Sequence, residues 1–137
     1  VKINIRDFKP EDTNLVMDMW LRSYYANMTG YREDGKVFFS NHQKQIEKLN
    51  SEEKLVCQVA CSSEDEDIIF GFAVFGTDYT LHYVAVKETF KRLGVASLLL
   101  KSFYKDRREV TVSHWTKDVN HIKKIYKVNY NRYRFFQ

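Results

Sequence analysis

The sequence predicts an α/β domain: a central mixed, mostly antiparallel sheet of six to seven strands, with four helices spread over both faces. Three observations carry that expectation. Strand-like alternation and helical periodicity succeed one another in the order β-α-α-β-β-β-α-β-α-β. The three strands in the middle are separated only by short polar turns, so they pair as antiparallel neighbours. The last of them leads through a basic loop into a helix and then another strand, a unit that closes as a right-handed parallel crossover.

Residues 1–8 alternate, with Ile3 and Ile5 on one side and Lys2, Asn4 and Arg6 on the other, as in a strand with one buried face. Pro10, Glu11 and Asp12 open a helix, because proline suits the first turn and acids favour its positive end. Leu15, Val16, Met19 and Trp20 follow at helical spacing, with Ser23 and Tyr24 continuing the stripe. Residues 27–35 form a loop with two glycines and Tyr31. A second helix over 38–49 gathers Phe38, Phe39, His42, Ile46 and Leu49 near one face. Residues 54–61 and 68–75 make a hairpin around an acidic tip, and 79–86 form the next strand. A third helix starts at Gly94 and runs to about Arg107, with Val95, Leu98, Leu99, Ser102 and Phe103 facing inward. A strand over 110–115, a helix over 118–127 and a final alternating strand over 130–136 complete the pattern.

The chain has 137 residues, which suits one domain over 1–137. Its apolar content of 44% and charged content of 29% are those of an ordinary globular protein. No apolar run approaches the ~20 residues of a membrane span, so no membrane partner and a cytoplasmic location are expected. Cys57 and Cys61 lie on one predicted strand, ~13 Å apart, too far for a disulfide. No histidine or further cysteine completes a zinc spacing, so no metal is expected. The net charge of +4 fits an anionic partner, either a nucleotide-containing cofactor or a nucleic acid.

The chemistry concentrates around residues 83–99. The strand containing Val84, Ala85 and Val86 ends in a loop carrying Lys91, Arg92 and Leu93, and a helix begins at Gly94, Val95, Ala96 and Ser97. A helix N-terminus offers unpaired N–H groups and partial positive charge, which together suit a diphosphate. Small residues at Gly94 and Ala96 let phosphates approach the backbone, and Lys91 and Arg92 add charge.

The run Lys91-Arg92-Leu93-Gly94-Val95-Ala96, after a Val-Ala-Val strand end, resembles the signature of the GNAT superfamily, the Gcn5-related N-acetyltransferases. Lys91 stands where that family usually has Arg or Gln. The resemblance implies acetyl-CoA as acyl donor, its diphosphate on residues 91–97. It also implies a pantetheine arm along the backbone of Val84 to Val86, the Val86 N–H as oxyanion donor, and an acetyl thioester in the gap where the next strand splays away.

Acetyl transfer to an amine needs a base, an oxyanion donor and an acid for the thiolate. The segment from Asn120 to Tyr130 resembles the family's Asn-x-x-Ala and Tyr-x-x-x-Gly-Phe pattern, with Lys123 at the Ala position and Asn129 for the Gly. That makes Tyr126 the candidate acid. His82, on the strand before the motif, and His114, on the strand after it, are the candidate bases, since imidazole titrates near ~6.5. Trp20, Tyr24, Tyr25, Tyr31 and Trp115 are candidates to line the acceptor site.

Two other functions fit the same residues. One is a GNAT-fold module that binds acyl-CoA without turnover. The other is a nucleic-acid-associated protein, because residues 117–137 interleave six basic residues with Tyr126, Tyr130, Tyr133, Phe135 and Phe136. The expected partners are acetyl-CoA and an amine acceptor, in a monomer or homodimer.

Overall fold

Every residue of the strands Ile69–Gly76 and Thr80–Val86 is buried, so the middle of the chain must be covered on both faces. The computed structural model describes residues 2–26, 34–91, 93–115 and 119–136, with the backbone alone for Ser23, Tyr24, Ala26, Phe38 and Phe136. It forms one sheet of six strands in chain order: β1 (Ile3–Asp7), β2 (Leu55–Ser62), β3 (Ile69–Gly76), β4 (Thr80–Val86), β5 (Glu109–Val112) and β6 (Lys127–Tyr130). The first three pairings are antiparallel, and β4–β5 and β5–β6 are parallel.

Helices α1 (Thr13–Ala26) and α2 (Gly35–Ser51) pack on one face through Val16, Trp20, Leu21, Ile46 and Leu49. Helix α3 (Val95–Tyr104) and the single turn α4 (Val119–Ile122) pack on the other through Val95, Leu99, Leu100, Val119 and Ile122. The strands divide between these layers by alternation: Phe72, Val74, Tyr83 and Ala85 go to the α1–α2 side, and Ala73, Phe75, Val84 and Val86 to the α3 side. Cys57 and Cys61 are free thiols. Among the described residues, no helix is long and apolar enough to cross a membrane.

Asp12 sits in a 3-10 turn (Pro10–Asp12) ahead of α1 and is buried. Its carboxylate accepts from Arg6 at 2.8 and 3.1 Å and from the Lys9 N–H at 2.9 Å. These bonds fix the entry angle of α1 over the sheet, and they hold the carboxyl below its usual range.

The C-terminal third departs from the sequence expectation. The helix expected over 118–127 is the single turn α4, and the strand expected over 130–136 forms earlier, as β6. Parallel pairing with β5 is the cause: Lys127 must stand beside Glu109, which leaves little chain for a crossover helix. Residues Arg132–Phe136 then make a 3-10 turn that drops Phe135, wholly buried, among Trp20, His42, His82 and His114. In α3 the inward face is Val95, Leu99, Leu100 and Tyr104, whereas Leu98 and Ser102 are exposed. The sheet-facing stripe of α3 is thus rotated from the expected one.

Two irregularities position the site. The register β3–β4 shifts between Val74↔Tyr83 and Phe75↔Leu81, which leaves His82 as the extra residue of a β-bulge. Leu81 consequently packs on the α3 side although Tyr83 packs on the other. The second is Gly71. A Cβ there would lie 2.4 Å from the Ala85 carbonyl oxygen and 3.3 Å from Val95 Cγ1. Its hydrogen side chain lets β3, the end of β4 and the start of α3 meet. Gly71→Ala should therefore lower stability by roughly 1–3 kcal/mol in a denaturant titration, because backbone rather than a flexible side chain must move.

Candidate functional site

β4 and β5 pair only at Thr80↔Thr111 and Leu81↔Val112, with one further bond from the Ser113 N–H to the Leu81 carbonyl at 3.1 Å. Beyond that point, among the described residues, no register pairing with β5 extends along Val84 to Val86. The bulge at His82 bends β4 just there. The Lys87 N–H donates to Phe70 across β3, so strand alternation turns the N–H groups of Val84 and Val86 towards the open edge.

Helix α3 begins beside the end of this edge. Its cap, Gly94, has φ 77° and ψ 17°, a left-handed conformation that glycine adopts without penalty. A Cβ at Gly94 would meet nothing within 4 Å, so the position opens onto free space. The first intrahelical bond is Leu98 N–H to Gly94 O at 2.9 Å. The N–H groups of Val95, Ala96 and Ser97 precede it and have no acceptor in the helix. They face a cavity of about 610 Å³ that Val86, Lys91, Ile122 and Ile125 also line. Lys91 Nζ lies 3.1 Å from the Glu88 carboxylate, which borders the same cavity. One side thus carries the helix start and Lys91, and the other Ile122 and Ile125 with His121 among them, an arrangement fitted to an anionic head on a neutral arm.

On the α1–α2 side of the opening stands a polar cluster. Ser113 Oγ lies 2.7 Å from His82 Nδ1 and 3.0 Å from His114 Nδ1. The ring of His114 packs against His42 at 5.7 Å and Phe135 at 4.8 Å between centroids. His82 and Ser113 are buried, and His114 keeps part of its surface exposed. Burial drives the His82 imidazole down to about 4, with the Asp78 carboxylate pulling weakly the other way. Burial, reinforced by the neighbouring His42 and His82, holds His114 well below the usual histidine range. Both rings are neutral at pH 7, so neither is poised near 6.5 as the sequence suggests. Ser113 carries no sequence signal: only the cross-strand register places it beside Leu81 and His82.

No protein-family model matches the chain, and no curated protein matches it in sequence. Solved structures do match in fold. A Pyrococcus furiosus protein proposed to be an acetyl transferase is 15% identical, over 95% of this chain and 82% of its own, with a TM-score of 0.59. The PaiA N-acetyltransferase of Thermoplasma acidophilum, solved with coenzyme A, is 16% identical over 77% of this chain and 71% of its own, with a TM-score of 0.53. A Clostridium acetobutylicum protein predicted to be an acetyltransferase, solved with acetyl-CoA, is 14% identical over 95% and 80%, with a TM-score of 0.52. The chain has the GNAT fold.

Within this GNAT fold the expected site residues separate. Val84, Val86, Lys91, Gly94, Val95, Ala96 and Ser97 converge on the open edge and the cavity. Ala85 points to the α1–α2 layer and contributes backbone to β3, and Leu93 is half exposed. Arg92 and Tyr31, and the side chain of Tyr24, lie outside the described residues. Trp20 is a core residue rather than an acceptor wall, 1% exposed and stacked on Tyr83. Tyr25 is partly buried against Phe39. Trp115 turns to the α3 side, where its Nε1–H donates to Asn120 at 3.1 Å.

Tyr126 joins the α3-side core that also holds Val84 and Val86. It is buried against Tyr104 one residue before Lys127, which pairs with Glu109, and Thr111 pairs with Thr80. Ile125, not Tyr126, lines the cavity. Tyr126 and Phe135 are also withdrawn as stacking surfaces for nucleic acid; Tyr130 and Tyr133 remain exposed.

The depressed His82 value sets a pH dependence. Between about pH 6.5 and 4 the unfolded chain takes up a proton that folded His82 refuses. Stability is therefore complete above pH 6.5 and declines as pH falls towards 4, by up to about 1.4 kcal/mol per pH unit for this one group. Thermal midpoints of the wild type should fall across that window, and those of His82→Gln should fall less steeply.

Proposed function

We propose that this chain is an N-acetyltransferase that takes its acyl group from acetyl-CoA and gives it to a primary amine. The unpaired edge of β4 carries the proposal: buried strand N–H groups face outward next to a helix N-terminus, and pantetheine amides and a diphosphate satisfy both. The neighbours solved with coenzyme A and with acetyl-CoA support the same donor.

The N–H groups of Val95, Ala96 and Ser97 hold the diphosphate, with Lys91 exchanging its Glu88 partner for a phosphate oxygen. Val84 and Val86 pair with the amide arm, and an N–H on this edge stabilises the oxyanion of the thioester carbonyl. Acetyl-CoA bound in this way supplies an electrophilic carbonyl: the amine nitrogen forms the new C–N bond, the C–S bond breaks, and coenzyme A leaves as a thiolate. A thiol ionises near ~8.5, so the thiolate can depart without a phenol beside it, and Ile125 rather than Tyr126 borders the cavity. The proton lost by the amine goes to the histidine cluster on the α1–α2 side, where the acceptor enters.

Calorimetric titration with acetyl-CoA, with a plain nucleotide as control, tests the donor. Micromolar binding is expected, and no heat at millimolar acetyl-CoA would sink the proposal. Gly94→Glu should weaken acetyl-CoA at least about tenfold by placing a carboxylate at the anion site. Gly94→Ala, which brings the same left-handed strain without the charge, should lose much less. Tyr126→Phe should leave kcat within about twofold, and a fall of about tenfold or more would return the phenol to the reaction.

A further inference from the structure

His82 and His114 are 32 residues apart in sequence, yet one hydroxyl joins them. Ser113 Oγ is 2.7 Å from Nδ1 of His82 and 3.0 Å from Nδ1 of His114. A serine hydroxyl has one proton to donate and lone pairs to accept. With the proton committed to one imidazole, the other ring must present Nδ1–H to the oxygen. The two rings then hold opposite tautomers, one protonated at Nδ1 and the other at Nε2.

The outer nitrogens give the pair a direction. His82 Nε2 and Asp78 Oδ1 flank a single point above Gly76, where a Cβ would lie 3.1 Å from the first and 2.5 Å from the second. Only glycine leaves that space, so His82 is directed to the β3–β4 turn and not to the opening. Asp78 is partly exposed there and bound to Arg134 at 3.1 Å. His114 is the ring that keeps exposed surface, beside His42 of α2. The charged and titratable groups facing the pair are thus His42, Asp78 and, behind Asp78, Arg134.

We infer that Ser113 is a positioning residue that couples His114, facing the acceptor, to His82, facing Asp78. The inference rests on the acetyl-transfer proposal for the origin of the proton. His114 takes the amine proton at Nε2 and passes its Nδ1 proton to Ser113 Oγ. The hydroxyl proton moves to His82 Nδ1, and His82 releases its Nε2 proton towards Asp78. Each group gains one proton and loses one, so no charge stays in the buried layer. This resolves a difficulty of the site: a buried imidazole that resists charging is a weak terminal base but a suitable carrier.

Two readouts test the coupling. Nitrogen-15 shifts of the imidazoles should show opposite tautomers for His82 and His114 in the wild type. Ser113→Ala should abolish that pairing, and Ser113→Thr, which keeps the hydroxyl, should retain it. The same tautomer on both rings in the wild type, or unchanged tautomers in Ser113→Ala, would overturn the inference. Acetyl-CoA consumption over a panel of primary amines supplies the second readout. Ser113→Ala should lower kcat about 100-fold while acetyl-CoA affinity holds, with Ser113→Thr close to wild type. An unchanged kcat in Ser113→Ala would overturn the relay. Opposite tautomers in a wild-type protein that consumes no acetyl-CoA with any amine would uphold the coupling and count against acetyl transfer.

Discussion

The site depends on one extra residue in β4. With strict alternation, Leu81 and Tyr83 would share a face of the sheet; the bulge at His82 sends them to opposite layers. The same bend ends the pairing with β5 after Leu81, so β4 finishes with a bonded edge on β3 and an open edge opposite. Val84 on that edge is fully buried. A buried strand edge cannot be left to solvent, because each orphaned N–H or carbonyl costs about as much as a lost hydrogen bond. A ligand with amides spaced along an extended arm satisfies it as a neighbouring strand would.

The anion end is built from backbone for a similar reason. Among the described residues, Lys91 is the lysine that lines the cavity, and Glu88 already engages it. What the cavity offers is geometry: the left-handed Gly94 starts α3 at its edge, and Val95, Ala96 and Ser97, whose N–H groups have no acceptor in the helix, line it. Gly71 lets α3 come close enough for that space to abut the end of β4. In the proposed site, diphosphate recognition would rest on two glycines that bring no functional group, and a count of basic residues is a poor guide to it.

The sequence disclosed this half of the molecule well. In β3, β4 and α3, apolar period and a Gly-x-small helix start agree on element type and order, although the bulge in β4 and the rotated inward stripe of α3 depart from the simple periods. The C-terminal third was harder to read for a physical reason. Residues 130–136 alternate as a strand does, but the alternation reflects one demand, the burial of Phe135, which a 3-10 turn meets as well. Matching Tyr126 to a motif required a helix over 118–127; only a single turn forms there, and Tyr126 follows it into the α3-side core beside Tyr104. The bulge and Ser113 were out of reach for another reason. A strand with one residue too many keeps its composition, and a lone serine at a strand end has no spacing to announce it.

Where the sheet opens is also where the interior stops being apolar. Among the described residues four polar side chains are buried: Asp12, Thr80, His82 and Ser113. Asp12 is accounted for by Arg6 and the entry to α1. The other three stand together at the β4–β5 junction, at the positions where pairing stops. Buried polar groups cost stability unless bonded to one another, and apolar residues of similar volume would hold this junction more firmly. Trp20, Tyr83 and Phe135 show that the adjoining layer readily accepts large apolar side chains. Packing alone therefore gives no reason for two histidines joined by a serine at this point; the proposed transfer of a proton past a thioester would.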